Sequence, residues 1–131
     1  MPLKSRELAV KAAETALMKK AFDVIILDLS GLTVIADYFV ICSGESTTQV
    51  KAVAAFIEQE FAKKRLKPLG VEGAAHGHWI LLDYVDVIIH VFEKETRAYY
   101  NLEKLWMDAK TIEIDEDKSN MAGENKRAIH S

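Results

Sequence analysis

Asp83 and Asp86 stand three residues apart between two apolar runs, and a close pair of carboxylates is the donor set that holds a divalent metal for phosphoryl transfer. Their spacing argues against that use. Carboxylates on one continuous strand share a face only when an even number of residues separates them, so a turn at Tyr84-Val85 would have to bring these two together. The bland alternative is that they open and close a hairpin turn or offer charge to a partner. His76 and His78 form an H-x-H pair, and His90 falls on one face of the following run, but no Cys, Asp or Glu stands at a spacing that completes a zinc site. Ser30, Cys42, Ser43 and Ser46 offer hydroxyl or thiol groups, none of them in a nucleophile-elbow pattern. No metal and no cofactor is expected.

The aromatic residues say more. Trp79, Tyr84, Phe92, Tyr99, Tyr100 and Trp106 include both tryptophans and three of the four tyrosines of the chain. Core packing accounts for Phe92 and Trp106. For Trp79, Tyr84 and Tyr100, core and interface remain equally open, because tryptophan and tyrosine beside carboxylates are common anchors of protein recognition. Charge is segregated as well. The first twenty residues carry five Lys or Arg against two Glu, whereas Val71 to Glu93 holds Glu72, Asp83, Asp86 and Glu93 with no Lys or Arg. An acidic middle of this kind is steered toward a basic surface. The total net charge of −3 does not suggest a protein that coats nucleic acid.

These side chains need elements to position them. Ser5 can cap a helix running to about Lys20, with Leu8, Ala12, Ala13, Ala16 and Leu17 on one face. DVIILDL and YFVIC are short runs rich in β-branched and aromatic residues, as expected for strands covered on both faces. Ser46 with Gln49 forms a capping-box pattern ahead of Val50, Val53, Ala54, Ile57 and Phe61 at helical spacing. That helix runs out in Lys63, Lys64, Arg65 and Lys67, a basic cluster that suits a solvated helix end or contact with RNA phosphates. VEGAAHG reads as a loop, and WILLDY and DVIIHVF as a hairpin. A last helix is expected over residues 96–109, with TIEI as an extra edge strand. The order is α-β-β-α-β-β-α, a single α/β domain with a mixed sheet over residues 1–114. The polar stretch 115–131 lacks periodicity and is expected to be disordered. One cysteine excludes an internal disulfide framework, and no apolar run is long enough to span a membrane, so a cytoplasmic protein is expected.

Two long blocks, DLSGLTVIADYFVICSGESTTQV and WILLDYVDVIIHVFEKETRAYYNLEKLWMDA, together strongly resemble the ribosomal silencing factor family, also called RsfS or Iojap. The resemblance implies a non-catalytic repressor of translation. Such proteins bind the large ribosomal subunit through its protein number fourteen and block joining of the small subunit when nutrients are short. It also implies a fold related to nucleotidyltransferases, and a free homodimer that gives way to one copy on the ribosome. The family's motifs fall on Trp79, Leu81, Asp83 and Tyr84, on Asp86, His90, Val91 and Phe92, and on Arg97, Tyr99, Tyr100, Leu102 and Glu103. The partner-binding residues expected from them are Trp79, Leu81, Asp83, Tyr84, Asp86, His90, Arg97, Tyr99, Tyr100 and Leu102. Val85 departs from the family's usual glycine, and a β-branched residue disfavours positive φ, so the turn either avoids it or is strained. The rival from another class is a metal-dependent nucleotidyltransferase-like enzyme using Ser43, Asp83 and Asp86.

Overall fold

The computed structural model describes residues 4–114. The stretch 115–131, where the sequence suggests a disordered tail, lies outside the described residues. Helix α1 (Ser5–Met18) is followed by strands β1 (Phe22–Asp28) and β2 (Tyr38–Gly44), helix α2 (Thr47–Ala62), and strands β3 (Gly70–Glu72), β4 (Trp79–Asp83) and β5 (Val87–Glu93). Two short helices, α3 (Lys94–Tyr100) and α4 (Leu102–Leu105), lead into β6 (Lys110–Glu113). The six strands form one mixed sheet in the order β3-β4-β5-β2-β1-β6, in which only the central β2–β5 pair is parallel.

The apolar runs become the inner strands because only there can every side chain escape water. All seven residues of β2 are buried, as are the first six of β5. Strand alternation then divides the core into two layers. Val24, Ile26, Val40, Cys42, Ile80, Leu82, Val87, Ile89 and Val91 pack beneath α1 and α2. Ala9, Ala12, Ala13 and Ala16 are fully buried, and their small side chains let α1 lie close against the sheet. The opposite layer, Leu27, Leu29, Ala36, Phe39, Ile41, Ile88 and Phe92, is covered by Leu102, Trp106 and Ala109 of the C-terminal segment.

Local chemistry fixes the element ends, not always as expected. Ser46 caps α2, its hydroxyl accepting from Gln49 N–H at 3.2 Å. The Gln49 amide then donates to the Lys19 and Lys20 carbonyls, joining the start of α2 to the end of α1. Ser5, in contrast, is the first helical residue rather than the cap, and its hydroxyl donates to Asp37 across to the start of β2. The segment 71–77 is not wholly a loop, since Gly70–Glu72 pairs with β4 as an edge strand. The single helix expected over 96–109 is broken. Asn101 adopts φ +48, a left-handed conformation that asparagine tolerates, and the chain turns there. The break leaves Ala98 and Leu105 exposed while returning Leu102, Trp106 and Ala109 to the sheet. The expected extra edge strand forms as β6 and pairs antiparallel with β1.

The hairpin turn is strained. Asp86 N–H donates to the Tyr84 carbonyl at 2.9 Å across Val85, whose φ is +72. That is a γ-turn of the rare positive-φ hand, with a β-branched residue at its centre. The Asp83 carboxylate holds it by accepting Val85 N–H at 2.8 Å. Val85→Gly should therefore raise stability by about 1 kcal/mol, read as a higher denaturant midpoint at an unchanged slope.

Candidate docking surface

The layer opposite α1 and α2 is incompletely covered, and Trp79 marks the gap. Trp79 opens β4 directly opposite Phe92 in the register, and its half-buried indole stacks on that ring with centroids 4.7 Å apart. Its Nε1–H donates to Nδ1 of His90 at 3.1 Å, which fixes both the indole and the histidine tautomer. His90 is 3% exposed, lies edge-on to Phe39 at 4.5 Å, and has an Nε2 atom with no hydrogen-bond partner. Burial pushes the imidazole down to about 4, so it is the neutral ring that accepts from Trp79.

Tyr100 leans on the exposed side of Trp79, with ring centroids 5.2 Å apart, and Tyr99 meets Tyr100 edge-on at 5.0 Å. Tyr99 is 81% and Tyr100 55% exposed. With Gly73, His76 and His78 on one side and Glu95 and Thr96 on the other, the three rings line a cleft of about 510 Å³. Gly73 is required there. Its φ is +84, and a Cβ would overlap the Trp79 carbonyl oxygen.

Arg97 holds α3 in place. Its guanidinium donates to the Glu103 carboxylate at 2.7 and 2.9 Å, to the Ser43 hydroxyl at 2.7 Å and to the Asp23 carbonyl at 2.7 Å. Asp23 has φ +50 at a register shift in β1, so the irregular backbone there supplies the acceptor. At the helix start, Glu93 accepts from Thr96 N–H and Oγ1 at 3.2 and 2.9 Å.

The ten residues expected to form one surface therefore separate. Trp79, Tyr99 and Tyr100 come together, with half-buried Leu81 and Leu102 on the same layer. His90 and Arg97 stand behind them as supports rather than contacts. Asp83 and exposed Asp86 sit at the far end of the hairpin, about 13 Å along β4 from Trp79. Tyr84 is on the other layer, 7% exposed and edge-on to Phe61 at 5.0 Å. Burial raises its phenol to about 12, and its hydroxyl has no hydrogen-bond partner. The carboxylate-hydroxyl trio of the rival enzyme is also split. Ser43 pairs with Phe92 at one end of β5, whereas Asp83 pairs with Ile88 and Asp86 precedes the strand at the other. Cys42 is fully buried, with its thiol pushed up to about 12, which makes it a poor nucleophile. Among the described residues no group of three or more His, Cys, Asp or Glu could hold a metal ion. Lys63, Lys64, Arg65 and Lys67 are exposed at the end of α2, Lys63 bonded to Glu60 at 2.9 Å. Among the described residues no helix is long and apolar enough to cross a membrane.

Sequence and structure comparisons identify the family and match the fold. The family model described as "Ribosomal silencing factor during starvation" matches residues 2–130. The chain belongs to the RsfS family. A ribosomal silencing factor RsfS of Halalkalibacterium halodurans is 43% identical over 109 residues, covering 83% of this chain and 91% of that one. A mouse protein named for mitochondrial assembly of the ribosomal large subunit is 38% identical over 73 residues, covering 53% of this chain and 32% of its own. A crystal structure from Chromobacterium violaceum superposes with a TM-score of 0.78 at 30% identity, covering 91% of this chain and all of that one. The family match thus agrees with the α/β class and with the resemblance carried by the two long motif blocks.

Neutral His90 couples the site to pH. A buried imidazole with a depressed pKa costs stability once the unfolded chain, titrating near 6.5, takes up a proton that the folded chain refuses. Stability is unaffected above pH 6.5 and falls as pH drops toward 4, by up to roughly 3 kcal/mol. Urea unfolding of the wild type should show this slope, and His90→Leu should remove it while leaving the carboxylate contribution at lower pH.

Proposed function

We propose that this chain represses translation by docking on the large ribosomal subunit, at its protein number fourteen, and blocking the small subunit from joining. The observation that carries the reading is the pre-organised aromatic platform. Trp79 and Tyr100 are held in place from behind by His90 and Arg97 yet remain open to a partner in front. A surface that is already ordered loses little entropy on binding, which is what a protein acting by occlusion needs. Family membership supports a ribosomal target, and the family description links that target to starvation. The name of the mouse relative supports the large subunit in particular.

The same reading assigns the other exposed features. The acidic hairpin tip at Asp86 faces a basic part of the partner, and Lys63, Lys64, Arg65 and Lys67 lie against ribosomal RNA once the protein is docked. The free protein, in the cytoplasm, pairs its exposed apolar surface in a homodimer and separates into single copies on the ribosome. Occlusion requires no bond to be made or broken, so no residue is given a catalytic role.

Truncating an aromatic anchor at such an interface costs on the order of 2 kcal/mol, about thirtyfold in affinity. Trp79→Ala and Tyr100→Ala should each lower co-sedimentation with purified large subunits by that factor, with circular dichroism confirming that the fold is kept. Wild-type co-sedimentation by both variants would remove this face from the interface. Asp86→Lys should weaken binding and flatten its dependence on salt, whereas an unchanged salt slope would confine the interface to the Trp79 end of the sheet.

A further inference from the structure

We infer that the cleft between Trp79, Tyr99, Tyr100 and Glu95 is an arginine receptor that takes a guanidinium side chain from the docked protein partner. The inference rests on the docking reading and specifies the chemistry of that same site.

The cleft is lined by the rings of Trp79, Tyr99 and Tyr100, the imidazoles of His76 and His78 and the Glu95 carboxylate, with no Lys or Arg among its described lining residues. Aromatic faces carry negative quadrupole potential and attract cations. Two cations of the adjoining helix α3 are committed elsewhere. Lys94 bonds to Glu45 at 2.9 Å, and Arg97 turns inward to Glu103, Ser43 and the Asp23 carbonyl. Glu93 spends its carboxylate on Thr96 at the helix start. Glu95, two residues on, is crowded by that neighbour. A hydrogen bond shared with Glu93 and the repulsion of its charge hold the Glu95 carboxyl above the usual range. A cation entering the cleft relieves this repulsion.

Shape selects arginine over lysine. The guanidinium is planar and weakly hydrated, so it can stack on an aromatic ring while its N–H groups reach a carboxylate in the same plane. An ammonium is compact and strongly hydrated, and gives up more solvation to lie between rings. A volume of about 510 Å³ also leaves room for the backbone on either side of the inserted residue. The occupant is therefore an arginine presented on a loop, which agrees with the acidic balance of the surrounding segment.

The test uses N-acetyl-arginine amide, titrated into the full ¹⁵N-labelled chain while the indole N–H signals of Trp79 and Trp106 are followed. A saturable shift of the Trp79 signal is expected, with Trp106 unmoved. The uncharged isostere N-acetyl-citrulline amide, and the arginine probe with Glu95→Gln protein, should each bind at least tenfold more weakly. Equal binding of citrulline, or no saturable shift at Trp79, would overturn the inference. On large subunits, Glu95→Gln should lower affinity about tenfold. If Trp79→Ala weakens subunit binding and Glu95→Gln does not, the arginine site falls and the docking surface stands. If the arginine probe binds as described and neither substitution affects subunit binding, the arginine site stands and the ribosomal reading falls.

Discussion

The parallel pairing of β2 with β5 is the contact on which the rest of the molecule depends. Both strands are buried on both faces, so the sheet must be covered twice, and the chain has two different coverings to give it. Two long helices seal one face, with four alanines allowing close approach. What remains for the other face is a short, broken C-terminal segment and the loop between β1 and β2. The shortage of cover on that second face is what leaves Trp79 half in solvent. The candidate site is thus a consequence of asymmetric packing rather than a pocket carved into a finished core.

A partly covered aromatic would be mobile unless something held it, and two polar groups do so from inside. His90 accepts the indole N–H within the sheet, and Arg97 ties α3 to the ends of β1 and β2. Each makes a compromise of its own. His90 leaves one ring nitrogen buried without a partner, and Arg97 relies on an irregular residue in β1 for one of its acceptors. Buried polar groups left partly unsatisfied lower stability, and such costs concentrate where a surface must be held in one shape for recognition. Val85 is a second local cost, at the other end of the hairpin, where a glycine would relax the turn.

Strands β1, β2, β4 and β5, α2 with its Ser46 cap, and the edge strand β6 were legible in the sequence because apolar period and capping residues are local signals, whereas the short edge strand β3 was read as part of a loop. Helix α1 was legible in position but not in its cap, since the Ser5 hydroxyl found Asp37, thirty-two residues away, instead of the helix end. The break at Asn101 was missed because the stripe of Ala98, Leu102, Leu105 and Ala109 fits an unbroken helix equally well, and only contact with the sheet selects the bent form. Of the site, the residues alone left Trp79, Tyr84 and Tyr100 open between core and interface, and the structure finds Tyr84 buried, Trp79 half-buried and Tyr100 exposed beside Tyr99. Glu95, Thr96 and Gly73 were missed, having no pattern of their own.

The sequence by itself determined the family and the apolar strands that make a doubly covered sheet, since residue type and local pattern suffice for these. Only the tertiary structure decided which aromatic side chains share a surface. Trp79 and Tyr84 lie an odd five residues apart in one motif and so face opposite layers, but only the packing decides that Tyr84 is closed in against Phe61 while Trp79, stacked on Phe92, stays half-open. His90 and Arg97 look like contact residues in a linear motif and become supports in the fold, because His90 turns inward to Trp79 and Phe39, and Arg97 to Glu103, Ser43 and the Asp23 carbonyl.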